Sequence, residues 1–199
     1  MSRPAVKDCN ILFLDFETGG LSARHHDIVE AAYILTDPTG RSVMDEWSSK
    51  VVPNRPVEPG AAKVNGYNAE KWAAEGAISV DAAMVKILGA ARDSMLACHN
   101  VPFDKSFLDA AMAARAQRWP GSYHSIDTCS LAIPLLKAGL VPNIKLTTLT
   151  AYFDIEHAEA HSALSDARAC RQVFLKLMGI YGPGVEKLVK AAELPVDAE

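Results

Sequence analysis

Residues 11–17 read Ile-Leu-Phe-Leu-Asp-Phe-Glu, an apolar run that closes on two acids. Strand alternation sends Ile11, Phe13, Asp15 and Glu17 to one face, so two carboxylates follow directly on two core side chains. The same misplacement recurs twice. A helix starting near Asp104 sets that acid on one face with Phe107, Leu108 and Ala111. In a helix over 162–178, Asp166 continues the stripe of Ala163, Ala167, Cys170, Phe174 and Leu177. Carboxylates gathered in one interior repel each other and lose hydration, unless positive charge sits among them. All-oxygen acidic clusters suit Mg²⁺ or Mn²⁺. Two acids two residues apart on a strand can hold two ions about 4 Å apart, the separation that serves in-line displacement at phosphorus.

The rest of the chain supplies a frame for that strand. Strands are expected over 10–16, 28–36 and 43–52, the last two joined by the turn Asp37-Pro38-Thr39-Gly40, as an antiparallel meander. Residues 53–79 are rich in Pro and Gly, with short helical pieces, one near 68–75. Ser79 can cap a helix over 80–92. A strand at 94–99 precedes the Asp104 helix of 103–117, and a strand near 123–127 leads into a helix ending around Gly139. Further helices are expected over 145–153 and 162–178, with Gly182-Pro183-Gly184 breaking the chain before an amphipathic tail. Strands that turn into helix–strand alternation imply an α/β protein, a mixed five-stranded sheet flanked by helices. Asp15 and Glu17 close the first strand at its carboxyl end, where ligand sites gather in open sheets. The organisation expected is a flexible N-terminus over 1–9, one domain over 10–180 and a short tail over 181–199.

Composition narrows the function classes. The formal net charge of −4 argues against sequence-independent coating of nucleic acid, which needs many Lys and Arg against phosphates. The longest apolar runs fall far below the roughly 20 residues of a membrane span. Cys9, Cys98, Cys129 and Cys170 lack Cys-x-x-Cys spacing, so neither zinc nor a redox pair is indicated, and a reducing cytoplasmic setting is expected. Taken singly, the motifs are ambiguous. Asp15-x-Glu17 also fits a solvated strand end, and Asp104 a helix cap. His161 enters the helix that carries Asp166, and a histidine's ordinary pKa of about 6.5 suits proton abstraction at neutral pH. His99-Asn100 and Phe103 offer hydrogen bonds and a stacking face beside Asp104, His99 ordering the loop. Arg24-His25-His26 fits a solvated loop better than a phosphate contact, and Arg168 and Arg171, on the polar side of the last helix, are expected to be solvated.

Together these segments resemble the DnaQ-like superfamily of DEDDh 3′→5′ exonucleases. The first motif is Phe13-Leu14-Asp15-Phe16-Glu17-Thr18-Gly19-Gly20-Leu21, the second His99-Asn100-x-x-Phe103-Asp104, and the third His161-x4-Asp166. Asp127-Thr128 and Lys145-Leu146-x-x-Leu149 resemble the intervening segments, and the likeness covers roughly residues 10–178. Gly19 is a departure, since threonine is common there; it loosens the grip on the terminal sugar at most. The resemblance implies an RNase H-like fold and two divalent ions, Mg²⁺ or Mn²⁺. Asp15 would bridge both ions, Glu17 and Asp166 complete one, and Asp104 help hold the other. His161 would deprotonate the water that attacks the terminal phosphodiester. Thr18, Gly19, Gly20, Leu21, Val64, Asn65, Asn100 and Phe103 would surround the last nucleotide, with core packing the plain alternative for Val64 and Phe103. The expected activity is removal of nucleoside 5′-monophosphates from a 3′ end, with single-stranded DNA favoured. An RNA-trimming exoribonuclease of the RNase T or oligoribonuclease type is the alternative, and a non-catalytic nucleic-acid-binding subunit a third. The short stretch after the last helix favours a free-standing enzyme; a polymerase or homodimer partner stays open.

Overall fold

The structure, a computed structural model, describes residues 4–157 and 162–192. Among these, the strands are β1 (Asn10–Thr18), β2 (Ile28–Thr36), β3 (Val43–Val52), β4 (Ile78–Ser79), β5 (Ser94–Cys98) and β6 (Ser125–Asp127). They form a mixed sheet in the order β4-β3-β2-β1-β5-β6. β1 pairs antiparallel with β2 and parallel with β5, so the acid-bearing strand is central. The expected α/β architecture is present, with one strand more than predicted. β4 is two residues long, paired only with Val51 and Val52, and too short to leave an alternating signature.

The helices are α1 (Pro59–Asn65), α2 (Ala69–Ala74), α3 (Val80–Ala90), α4 (Val101–Ala113), α5 (Thr128–Lys137), α6 (Leu146–Tyr152) and α7 (Ala163–Ala192). β1 is buried on both faces, which is why its sequence is apolar at nearly every position. Leu12, Leu14 and Phe16 pack with Met84 and Ile87 of α3 and Leu108 of α4. Ile11 and Phe13 face α7, against Ala167, Cys170 and Phe174. The Phe13 and Phe174 rings stand 5.5 Å apart. Gly40, at φ +76°, closes the β2–β3 turn where a Cβ would come within 2.8 Å of Phe174 Cε1. No described helix is long and apolar enough to cross a membrane.

Two expectations fail here. α7 runs through Gly182, Pro183 and Gly184 without the break. Pro183 forfeits one i→i−4 bond, yet its fixed φ lies in the helical range, so the helix continues through it. Arg168 and Arg171 are not simply solvated. Arg168 Nε donates to Glu46 at 3.0 Å and Arg171 Nε to the Gly40 carbonyl at 2.8 Å, because guanidinium stems reach from the helix flank to the β2–β3 hairpin.

Candidate active site

The carboxyl end of β1 puts Asp15 and Glu17 on the face that α7 covers, and the first turn of α7 brings Asp166 to them. Each of the three offers an oxygen, all within 4.8 Å of one another. Asp104 stands outside that triplet but beside it. Its Oδ1 accepts a 3.0 Å bond from the backbone N–H of Phe16, the residue between the two β1 acids. A buried tie thus joins α4 to the site strand. The chain reaches α4 through Asn100, left-handed at φ 73°, a conformation asparagine tolerates, and the Asn100 N–H donates to Asp127 Oδ1 at 3.0 Å.

Burial and mutual repulsion work against ionisation in this cluster. Burial, then the charges of Asp104, Asp166, Glu17 and Glu30, pushes the Asp15 carboxyl well above its usual range. Burial, with help from Asp166 and Glu30, lifts Glu17 to about 7. Burial lifts Asp104 to about 8 despite the Phe16 bond. Lys50 offsets Glu17 only in part, since its ammonium is bonded to Glu30 at 2.7 Å and lies 4.4 Å from the centre of the Trp72 ring. A group of hard oxygen donors short of positive charge is suited to a divalent cation such as Mg²⁺ or Mn²⁺, which would supply that charge.

His161 lies outside the described residues. His157, four residues earlier, places Nε2 2.6 Å from Asp166 Oδ1 with its side chain 6% exposed. Nothing in the sequence singles out His157 over His161, the histidine expected beside a cluster acid, except its place in the same short connection. His99 lies at the β5–α4 corner, with Nδ1 2.8 Å from Thr128 Oγ1 and Nε2 3.3 Å from Cys129 Sγ, and burial lowers its pKa.

A cleft of about 410 Å³ opens beside the triplet. Of the expected nucleotide contacts, Thr18, Gly20, Leu21, Val64, Asn65 and Phe103 line it, together with Glu17 of the triplet. Gly19 and Asn100 do not: Gly19 backs onto Val57, and Asn100 caps α4. Leu21 is 86% and Val64 55% exposed, so neither is core packing. Asn65 Nδ2 donates to the Thr18 carbonyl at 3.0 Å, and Thr18 Oγ1 to the Gly20 carbonyl at 2.8 Å, which shapes the rim. Glu58 also lines the cleft and was missed, because the Pro-rich loop that carries it has no periodicity to read.

Residues 12–174 match the family model RNase_T, described as exonuclease. The chain belongs to this exonuclease family. The DnaQ-like membership expected from the three motifs is thereby borne out, and with it an enzyme family. The chain is 29% identical to a PolC-type DNA polymerase III of Thermotoga maritima over 94% of its own length, spanning 13% of that protein. It is 24% identical to the DNA polymerase III subunit epsilon of Treponema pallidum, covering 91% of this chain and 82% of that one. Its fold is that of E. coli exonuclease I, solved in complex with a dA16 oligonucleotide. The TM-score there is 0.76 at 20% identity, over 91% of this chain and 43% of that chain.

Proposed function

We propose that this exonuclease removes nucleoside 5′-monophosphates one at a time from the 3′ end of single-stranded DNA. The observation that carries the proposal is the carboxylate triplet of Asp15, Glu17 and Asp166, one member of which, Glu17, lines a cleft of about 410 Å³. Asp15, Glu17 and Asp166, with Asp104 alongside, would hold two Mg²⁺ or Mn²⁺ ions. When bound, these supply positive charge against the scissile phosphate and acidify a water. Leu21 and Val64, large apolar side chains held out in solvent, meet the terminal base, and Phe103 closes the floor. The terminal base must leave its stack to enter, which favours single strands. His161 takes a proton from the attacking water. The P–O3′ bond breaks, the released nucleotide keeps the phosphate, and the proton ends on the new 3′ hydroxyl. The oligonucleotide complex of exonuclease I supports a single-strand substrate, and the polymerase III relatives support a DNA polymerase as partner.

The test uses DNA and RNA strands of equal sequence labelled at the 3′ nucleotide, with Mg²⁺ or Mn²⁺ present. Labelled 5′-mononucleotide is expected from the first turnover, faster from DNA, with closed circular strands left intact. Asp15→Asn should lower the rate by orders of magnitude while the protein stays folded. Cutting of circles overturns the end-directed reading, and faster loss of RNA replaces DNA as the substrate.

A further inference from the structure

The turn that carries Leu21 into the cleft is braced from behind by a histidine. The His26 ring lies flat against Gly20: a Cβ on that glycine would sit 2.2 Å from His26 Cδ2 and 2.5 Å from Nε2. His26 Nε2 bonds Glu58 Oε1 at 2.8 Å, and the Glu58 N–H donates to the Gly19 carbonyl at 2.8 Å. The Gly19 N–H donates in turn to the Asp27 carbonyl at 2.8 Å. Arg55 fixes this base, bonding Asp27 Oδ1 through Nε at 2.9 Å and the His26 carbonyl through Nη2 at 2.6 Å. Gly19 and Gly20 are thus gripped on backbone and Cα alike, although glycine is the residue with most freedom to lose.

The His26 ring also lines a second space, a cavity of about 340 Å³ shared with Arg55, Phe107 and Arg115, while the two residues it touches, Gly20 and Glu58, line the cleft. The side chain is 12% exposed, and Nδ1 is buried without a hydrogen-bond partner. With the ring proton on Nε2, directed at Glu58, Nδ1 keeps only a bare lone pair. The other neutral tautomer would leave an N–H buried without an acceptor and set a lone pair against the Glu58 carboxylate, a worse arrangement.

We propose that His26 is a positioning residue for the terminal nucleotide: wedged between Gly20 and Glu58, it holds the Gly19–Leu21 turn so that Leu21 stays in the cleft. The nucleotide half of this proposal rests on the exonuclease reading above; the brace itself does not. Removing the brace lets the turn sample other conformations, so the competent form is a smaller fraction and substrate binding weakens by that fraction. The carboxylates on β1 are held by the sheet and keep their places.

Two measurements on the full chain decide it. Amide hydrogen exchange at Gly19 and Glu58, the N–H groups bonded within this turn, is compared between the parent and His26→Ala, and KM and kcat are measured on the 3′-labelled DNA strand. Exchange should quicken about tenfold or more, and KM should rise about tenfold with kcat within about threefold. His26→Gln, which keeps a donor for Glu58, should fall between the two. ¹⁵N spectra of the parent should show the Nε2–H tautomer. Should His26→Ala misfold, His26→Gln, which removes the ring from Gly20, carries the test, with exchange still faster than in the parent. Unchanged exchange in the variants overturns the brace. Faster exchange with kcat falling and KM unmoved overturns the role in nucleotide positioning. If the parent does not degrade the strand, the exonuclease reading and the nucleotide half fall together, while exchange still decides the brace.

Discussion

Two histidines, 157 and 161, precede Asp166 in one short connection, and they answer to different tests. His157 is bonded to Asp166 at 2.6 Å, a contact that uses one oxygen of a carboxylate assigned here to a metal. As a partner of that carboxylate its loss should act through cation affinity. His157→Ala should shift the Mn²⁺ concentration for half-maximal rate, with the rate at saturating Mn²⁺ within about threefold of the parent. His161→Ala should behave oppositely, losing about 10²- to 10⁴-fold in rate with the Mn²⁺ requirement unmoved. A Mn²⁺ titration of both variants separates the roles, and the reverse pattern would exchange them. Both predictions concern single side chains whose spacing is plain in the sequence, yet the spacing alone could not say that His157 reaches the acid.

Among the elements, the junction of β6, α4 and α5 hangs on Asp127. Its carboxylate accepts from Cys129 N–H at 3.0 Å as the α5 cap, from Asn100 N–H at 3.0 Å, and from Ser130 Oγ at 2.9 Å. Asp127→Ala should cost about 1–2 kcal/mol, read as a fall in Tm of about 2–4 °C per kcal/mol. Asp127→Asn keeps an acceptor and should recover part of it; an unchanged Tm for the alanine variant would show the junction is held elsewhere. At this scale most of the fold was legible. The β1 run, the Ser79 cap and the stop at Gly139 are local signals, and the structure has Ser79 Oγ bonded to Ala82 N–H and Gly139 at φ +71°. What could not be read is long-range. β4 exists only because Val51 and Val52 offer it an edge, and Arg171 finds Gly40 across 131 positions. The Glu58–His26 contact joins two loops without periodicity. The acids were visible for the opposite reason: each breaks an apolar pattern that surrounds it.

For the molecule as a whole, the acidic cluster makes stability depend on pH in an unusual direction. Glu17 and Asp104 ionise near 7 and 8 when folded, against about 4.3 and 3.9 for unfolded carboxyls. A raised folded pKa means that the native state holds protons the unfolded chain has lost, so these groups favour folding below about 4 and that contribution is lost as pH rises through 7 to 8. In EDTA the Tm should therefore be higher at pH 5.5 than at pH 8. Adding Mn²⁺ should raise Tm more at pH 8, where cation and proton no longer compete. A Tm in EDTA that climbs from pH 5.5 to 8 would contradict the buried, unneutralised cluster. The central place of β1 carries one more consequence, for how such a chain can vary in length. Its pairing with β2 stays in step from Ile11 to Glu17 and slips only between Glu17 and Thr18. One residue inserted upstream of Asp15 would turn both acids to the α3–α4 face and drive Leu14 and Phe16 toward α7. A library of single-residue insertions should accordingly yield no active members across 11–17. Insertions beside Gly76, an exposed turn where an added side chain would meet nothing within 4 Å, should be recovered freely.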